Sequence, residues 1–194
     1  MKNHWIRIAA ISVAMLGLSA CSSESDSNRI HVETPFSIAK AGNKATLDFE
    51  ATAEQATPGK NYMVSLTFDR KDGADPLSVV SGTPPGTLLP FNVRVVRLTD
   101  EGKEEPVELL DGSKFIGTID PARYPAYMPQ DPQAGIYYAF TYANTGDQGF
   151  LCLIRFNLKQ AGRYRAVVET VQEQPLFADV PSVLIVQKHF NLGK

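Results

Sequence analysis

Histidine, cysteine and tryptophan are scarce in this chain, and each scarcity removes a class of function. Of three histidines, only His31 and His189 lie beyond the first thirty residues. A Ser–His–Asp triad has little to draw on. Two imidazoles alone do not complete a zinc site, which takes three or four ligands. No Gly-x-Ser-x-Gly elbow, His-Glu-x-x-His helix or phosphate loop occurs. The two cysteines are Cys21 and Cys152. Cys152 sits in the apolar run Phe150-Leu-Cys-Leu-Ile154 and reads as a buried small hydrophobe, because a reactive thiol wants a nearby base and partial exposure. A surplus of one charge is also lacking, since 19 basic residues face 21 acidic ones. That excludes the basic footprint of a nucleic-acid binder. The expectation is a chain with no catalytic side chain, no cofactor and no metal site.

What is present begins with the leader. Lys2 and Arg7 make a positive start, and Ile8 to Gly17 is apolar but too short for a stable membrane span. Leu18-Ser19-Ala20-Cys21 follows. This resembles the bacterial lipobox, in which an aliphatic residue and two small ones precede an obligatory cysteine. The resemblance implies a diacylglycerol thioether on Cys21, cleavage before it, and a mature chain that starts there. Each buried acyl methylene contributes ~0.8 kcal/mol, so more than one chain gives a firm anchor. Cleavage removes Lys2, Arg7 and no acid, which leaves 17 basic against 21 acidic residues, a balance of −4. Ser22 and Ser23 stand where Asp tends to retain such proteins at the inner membrane. The expected place is therefore the inner leaflet of the outer membrane, facing the periplasm.

The organisation that follows is a lipoprotein signal peptide over 1–20, a lipidated Cys and polar tether over 21–29, and one domain over 30–194. In the domain, apolar residues alternate with period two. Leu47, Phe49 and Ala51 share one parity; so do Tyr62, Val64, Leu66 and Phe68, and also Phe91, Val93 and Val95. Ile136, Tyr138, Phe140 and Tyr142 form an aromatic stripe. Phe150, Cys152, Ile154, Phe156 and Leu158 form another, and Tyr164, Ala166 and Val168 a further one. Ser182 to Phe190 reads as the last strand. Many strands with one apolar face each predict an all-β, antiparallel sandwich. Lys159-Gln-Ala-Gly-Arg-Tyr164 resembles the tyrosine corner of immunoglobulin-like domains, in which a phenol bonds an upstream backbone group. Ala166 stands where antibody domains have cysteine, and the mature chain has no Trp. Pro35-Phe36, Gly82-Thr-Pro84, Leu89 to Val95 and Gly162 to Arg165 together look like the uncharacterised single-domain β-sandwich lipoproteins of proteobacteria, a family that implies no reaction.

Two segments invite a functional reading. Asp69-Arg-Lys-Asp72-Gly73-Ala-Asp75 gathers three carboxylates, but Arg70 and Lys71 between them favour a solvated turn over a Ca²⁺ loop; Thr83-Pro-Pro-Gly86 reads as a rigid loop. Asp120 to Gly135 is long, carries four prolines, and places Tyr124, Tyr127 and Met128 outside any alternating pattern. Such a segment suits partner binding, because proline lowers the ordering cost and Tyr and Met supply contact area. The alternative is that these side chains cap the core. The function expected is a membrane-anchored, non-enzymatic interaction module with a periplasmic protein partner. Other readings are an immunity lipoprotein against a toxin delivered by type VI secretion, a glycan binder using Tyr124, Tyr127 and Tyr137, and an envelope hydrolase. The first consequence concerns the anchor. Cys21→Ala is expected to abolish palmitate incorporation and to move the protein out of the membrane fraction; labelling that survives the substitution rejects the lipobox.

Overall fold

The computed structural model describes residues 29–69, 89–110, 135–145 and 148–189. Ten strands and no α-helix lie among them: β1 (His31–Pro35), β2 (Lys44–Ala51), β3 (Asn61–Asp69), β4 (Leu89–Leu98), β5 (Glu104–Pro106), β6 (Leu109–Leu110), β7 (Ile136–Thr145), β8 (Gln148–Asn157), β9 (Gly162–Thr170) and β10 (Ser182–Lys188). Every pairing is antiparallel. One layer runs β1-β10-β3-β8 and the other β4-β9-β2. Two crossings join them on one side. The first half of β7 pairs with β4 and its second half with β8. At the other end, β5 pairs with Val96 to Leu98 of β4, and β6 with Arg155 and Phe156 of β8. The path ends at the edge strands β1 and β2.

The second layer follows its sequence alternation. Leu47, Phe49 and Ala51 of β2, Phe91, Val93 and Val95 of β4, and Tyr164, Ala166 and Val168 of β9 are all buried in one core. The outward side of this layer is charged, and the Arg165 guanidinium grips both oxygens of Asp48 across β9 and β2, at 2.7 and 3.0 Å. That bond, more than Arg165's charge, holds the Asp48 carboxyl below its ordinary value. The first layer departs from simple alternation. Its outward residues Met63, Ser65 and Cys152 are also fully buried. Strands covered on both faces read as continuous apolar runs, as Phe150 to Ile154 does, while Tyr62 to Phe68 is broken by Ser65 and Thr67.

Two expected stripes are thereby corrected. A bulge in β8 at Leu153 means that Ser65 pairs with Cys152 but Val64 pairs with Ile154. Phe150 and Cys152 therefore lie on the opposite face from Ile154 and Phe156. One inserted residue reverses the parity of a strand. In the first half of β7, the residues that join the core are Tyr137 and Ala139, paired with Phe91 and Leu89. They belong to the alternation opposite to the stripe that starts at Ile136.

Two tyrosines pin the places where the chain changes layer. Between β2 and β3, the buried Tyr62 hydroxyl donates to the Gln55 carbonyl at 2.9 Å. Between β8 and β9, the Tyr164 hydroxyl donates to the Gln160 carbonyl at 2.5 Å. The first turn is braced further. The Thr52 N–H donates to the Gln55 side chain, and the Gln55 N–H donates to the Thr52 hydroxyl, the reciprocal pattern of a capping box. Burial pushes both phenols above their ordinary value, so both stay neutral donors well into alkaline solution. Phe49 stacks on Tyr164 at 5.5 Å between centroids, Phe156 stacks on Tyr62 at 6.0 Å, and Phe49 meets Phe156 at 6.2 Å. One chain of rings thus connects the two corners. The corners differ in what is left behind when the hydroxyl is removed. Gln55 is buried, whereas Gln160 is exposed and its carbonyl can turn to water. Tyr62→Phe is expected to cost about 1–3 kcal/mol, the penalty of an unsatisfied buried acceptor, and Tyr164→Phe about 0.5–1.5 kcal/mol. Urea midpoints of the two variants check the order, and an equal or reversed order refutes this account.

Candidate binding cleft

The end of the sandwich that carries both corners also carries a cleft. It forms because the chain leaves β5 in one layer and enters β6 in the other, running over the ends of β4 and β8. Val107 lies on this link, with its N–H bonded to the Val95 carbonyl at 2.9 Å and its side chain packed against the core. The space left between link and strand ends is a cavity of about 200 Å³, with Pro106, Val107 and Tyr164 among its walls and Arg97 and Asn157 among its polar lining. Lys159 and Glu108 lie at its edge, both largely exposed.

Arg97 is the residue that makes this end unusual. The stripe of Phe91, Val93 and Val95 continues by parity to position 97, so an arginine occupies a core-facing place. It pairs across to Tyr164 of β9. Its guanidinium donates to Glu105 at 3.0 Å, and Lys159 donates to Glu108, also at 3.0 Å. The cleft thus holds two cations and two anions in two pairs, and its net charge is zero. Both pairs are partly or largely exposed, so they fix geometry more than they stabilise. Gly162 lies against the guanidinium: a Cβ there would stand 3.4 Å from Arg97 Nε, and its φ of +138° disfavours any side chain. Arg97 Nε and Asn157 Oδ1 are buried and have no hydrogen-bond partner within the chain, as is also true of Arg155 Nε outside the lining.

The other candidates resolve differently. Cys21, Tyr124, Tyr127 and Met128 lie outside the described residues, as do Asp72, Asp75 and the Thr83–Gly86 loop. Asp69 ends β3 and is exposed. Tyr137, counted among the aromatics for glycan stacking, is packed against the core. His31 and His189 do come together, since β1 and β10 are neighbours and both histidines line one recess of about 610 Å³ with Arg29 and Lys188. His31 Nε2 lies 3.4 Å from the Glu33 carboxylate on the same strand. Burial first, then the charge of Arg155, lowers the His189 pKa, which keeps that ring neutral at pH 7. Among the described residues, no group of three or more His, Cys, Asp or Glu is placed to hold a metal ion. Cys152 is fully buried, as its apolar surroundings predict, and burial pushes its thiol up to about 12.

With this geometry in hand, comparison with known proteins adds the fold and little else. No known protein family matches the chain, and no curated protein is similar to it. Among solved structures, the chain is similar to the crystal structure of GEBA250068378 from Sulfurospirillum deleyianum. The TM-score is 0.50 and the identity 12%, with 82% of this chain and 97% of that one covered. The likeness is one of fold. Neither Arg97 nor Asn157 was reached from the sequence. The usable signal for Arg97 was a charge at an apolar parity, and Asn157 gave none.

Cys152 yields a prediction with a definite sign. Its raised value means that the fold favours the neutral thiol. The associated stability is whole below the ordinary thiol pKa and is lost as pH climbs from there toward about 12. At pH 8, native protein treated with iodoacetamide is expected to show no label on the Cys152 peptide by mass spectrometry, and full label in guanidinium. Rapid native labelling contradicts the buried placement.

Proposed function

We propose that this chain is an envelope lipoprotein, anchored at Cys21 and facing the periplasm from the inner leaflet of the outer membrane. Its folded part acts as a non-enzymatic interaction module for a periplasmic protein. The observation that carries this reading is the cleft: a recess whose charged lining residues are already paired, Arg97 with Glu105 and Lys159 with Glu108. Such a site is equipped to hold a group, not to transform it. The anchor reading sets its location. Arg29 and His31 lie at the same end as Asn157, since β1 pairs with β10, β10 with β3, and β3 with β8 in register. A tether of residues 22–29 spans roughly 25–30 Å at full stretch. The cleft would then work close to the bilayer. For fold class we propose an immunoglobulin-like sandwich in the broad sense, supported by the phenol at the β8–β9 crossing. The departure is that β9 and β10 fall in different layers, whereas the last two strands of an immunoglobulin domain share one.

Tyr124, Tyr127 and Met128 are the proposed source of additional contact area, because their segment follows β6, beside the cleft, in sequence. Aromatic anchors of this kind each matter by ~2 kcal/mol or more in interfaces. The test is photocrosslinking in living cells. A benzophenone side chain at Lys159, Glu108 or Tyr127 is expected to give one adduct of the same partner mass, absent when the probe replaces Lys44 on the outward face of β2. Arg97→Ala is expected to abolish the adduct from Lys159. No adduct at any cleft position, or an equal adduct at Lys44, rejects the cleft as the interaction site.

A further inference from the structure

The recess shared by His31 and His189 differs from the cleft in its charge, and strand register is the reason. Ile30 and Val32 pack on the core, so Arg29 and His31 fall on the outer parity of the first layer. Across that layer His31 pairs with Gln187, Gln187 with Met63, and Met63 with Arg155. The His189 N–H bonds the Asn61 carbonyl at 2.8 Å, which extends the β10–β3 pairing by one residue and puts His189 on the same parity. Arg29, His31, His189 and Arg155 therefore share one corner of one face, and Lys188 ends β10 there, exposed. Arg29, Ile30, His31, Gln187, Lys188 and His189 line the recess, and none of these six carries a carboxylate. Arg155 acts on it from behind: after burial, its charge is what lowers the His189 pKa. Glu33 lies 3.4 Å from His31, one step back from this end. Three permanent cations thus gather at one corner of a chain in which 21 acids outnumber 19 bases.

Such a corner suits an anion, and its size and place narrow which one. Guanidinium and ammonium donors match phosphate oxygens. A volume of about 610 Å³ lies within the roughly 300–1,000 Å³ of small-ligand pockets, room for a phosphodiester with its glycerol. Arg29 stands eight residues after Cys21, and a chain of that length reaches at most roughly 25–30 Å. Headgroups of the bilayer that holds the acyl chains are then present at the high effective concentration a short link gives. We infer that this recess is a receptor for the phosphate of an anionic phospholipid headgroup in that bilayer, with Arg29 and Lys188 supplying the charge and His31 and His189 its walls. This rests on the reading of Cys21 as the anchor and adds a second contact to it, one that turns the cleft-bearing end of the sandwich toward the membrane.

The test titrates the full chain in detergent micelles with water-soluble headgroups, following the Gln187 and Lys188 backbone amides by NMR. The probes are glycerophosphoglycerol, a monoanion, glycerophosphocholine, whose phosphate is balanced by its own cation, and inorganic phosphate. Glycerophosphoglycerol is expected to shift both amides saturably, and glycerophosphocholine to bind roughly threefold more weakly, the ratio that one partly exposed ion pair gives. Arg29→Gln and Lys188→Gln are each expected to weaken glycerophosphoglycerol by a similar factor with an unchanged circular dichroism spectrum, and Lys44→Gln on β2 to leave it as it was. No shift, equal binding of the two headgroups, or full binding by both variants overturns the assignment. Inorganic phosphate binding roughly tenfold more tightly than glycerophosphoglycerol shows a site for a free anion and also overturns it. A second arm places the lipidated chain in phosphatidylcholine nanodiscs with or without phosphatidylglycerol. A benzophenone at Gln187 is expected to capture roughly threefold more phospholipid when phosphatidylglycerol is present, a difference that Arg29→Gln removes. Equal capture from both bilayers shows proximity without recognition and overturns the receptor. The titration does not depend on acylation of Cys21, and palmitate labelling depends on nothing else, so a failure of the recess is distinguishable from a failure of the anchor.

Discussion

The fold depends on two buried phenols that hold the chain at its changes of layer. A sandwich of antiparallel strands has no covalent link between its sheets, and here no disulfide supplies one; the cysteine among the described residues is the free Cys152. The two layers are registered instead by side chains that bond backbone at the crossings. Tyr62 closes the β2–β3 turn onto Gln55, and Tyr164 closes the β8–β9 turn onto Gln160. Each ring must lie inside the core for its hydroxyl to reach the turn. The core must therefore accept two large aromatics at the same end, and Phe49 and Phe156 fill the space between them. Aromatic pairs of this kind add about 0.5–1.5 kcal/mol beyond their area. Geometry and stability come from the same four rings.

The cleft follows from that arrangement. With the rings occupying the end of the core, the β5–β6 link passes over strand ends that are already filled, and it cannot settle onto a flat apolar surface. Val107 reaches the core, but its neighbours Glu105, Pro106 and Glu108 stay exposed. Arg97 arrives from the core face of β4, beside the Tyr164 ring, and turns its head toward Glu105. The recess is bounded on one side by the packed rings of the core end and on the other by a short link held at both ends by β5 and β6. A binding site on such a base loses little freedom when it is filled, which favours affinity.

How far the sequence reveals this depends on whether a feature is local. The alternations of β2, β4 and β9 were legible because each strand shows one covered face, and period two is then unambiguous. Tyr164 was legible from Gly162-Arg-Tyr. Tyr62 does the same work but was read only as one apolar member of a strand; its signal was the turn-forming Pro58-Gly59 shortly before it. The bulge at Leu153 could not be read, because Phe150 to Ile154 is apolar at every position and any parity fits. Only pairing with β3 decides it. The cleft was illegible for a different reason. Residues 97, 107 and 157 are brought together by long-range pairing, and none of them carries a motif.

A buried polar atom left unmatched works against a fold, at about 1–3 kcal/mol against a net stability of typically 5–15 kcal/mol. Several buried hydroxyls of the described interior are matched individually. Outward-facing Ser65 is fully buried, yet its hydroxyl donates to the Ile185 carbonyl and accepts from Gln187. Thr170, at the far end of β9, donates to Lys40 and accepts from the Asn43 N–H. Ser182 donates to the Phe36 carbonyl. Arg97, at a core-facing parity, is matched in the same way by Glu105, so the one charged side chain in that stripe is paired within the chain while the recess beside it stays open.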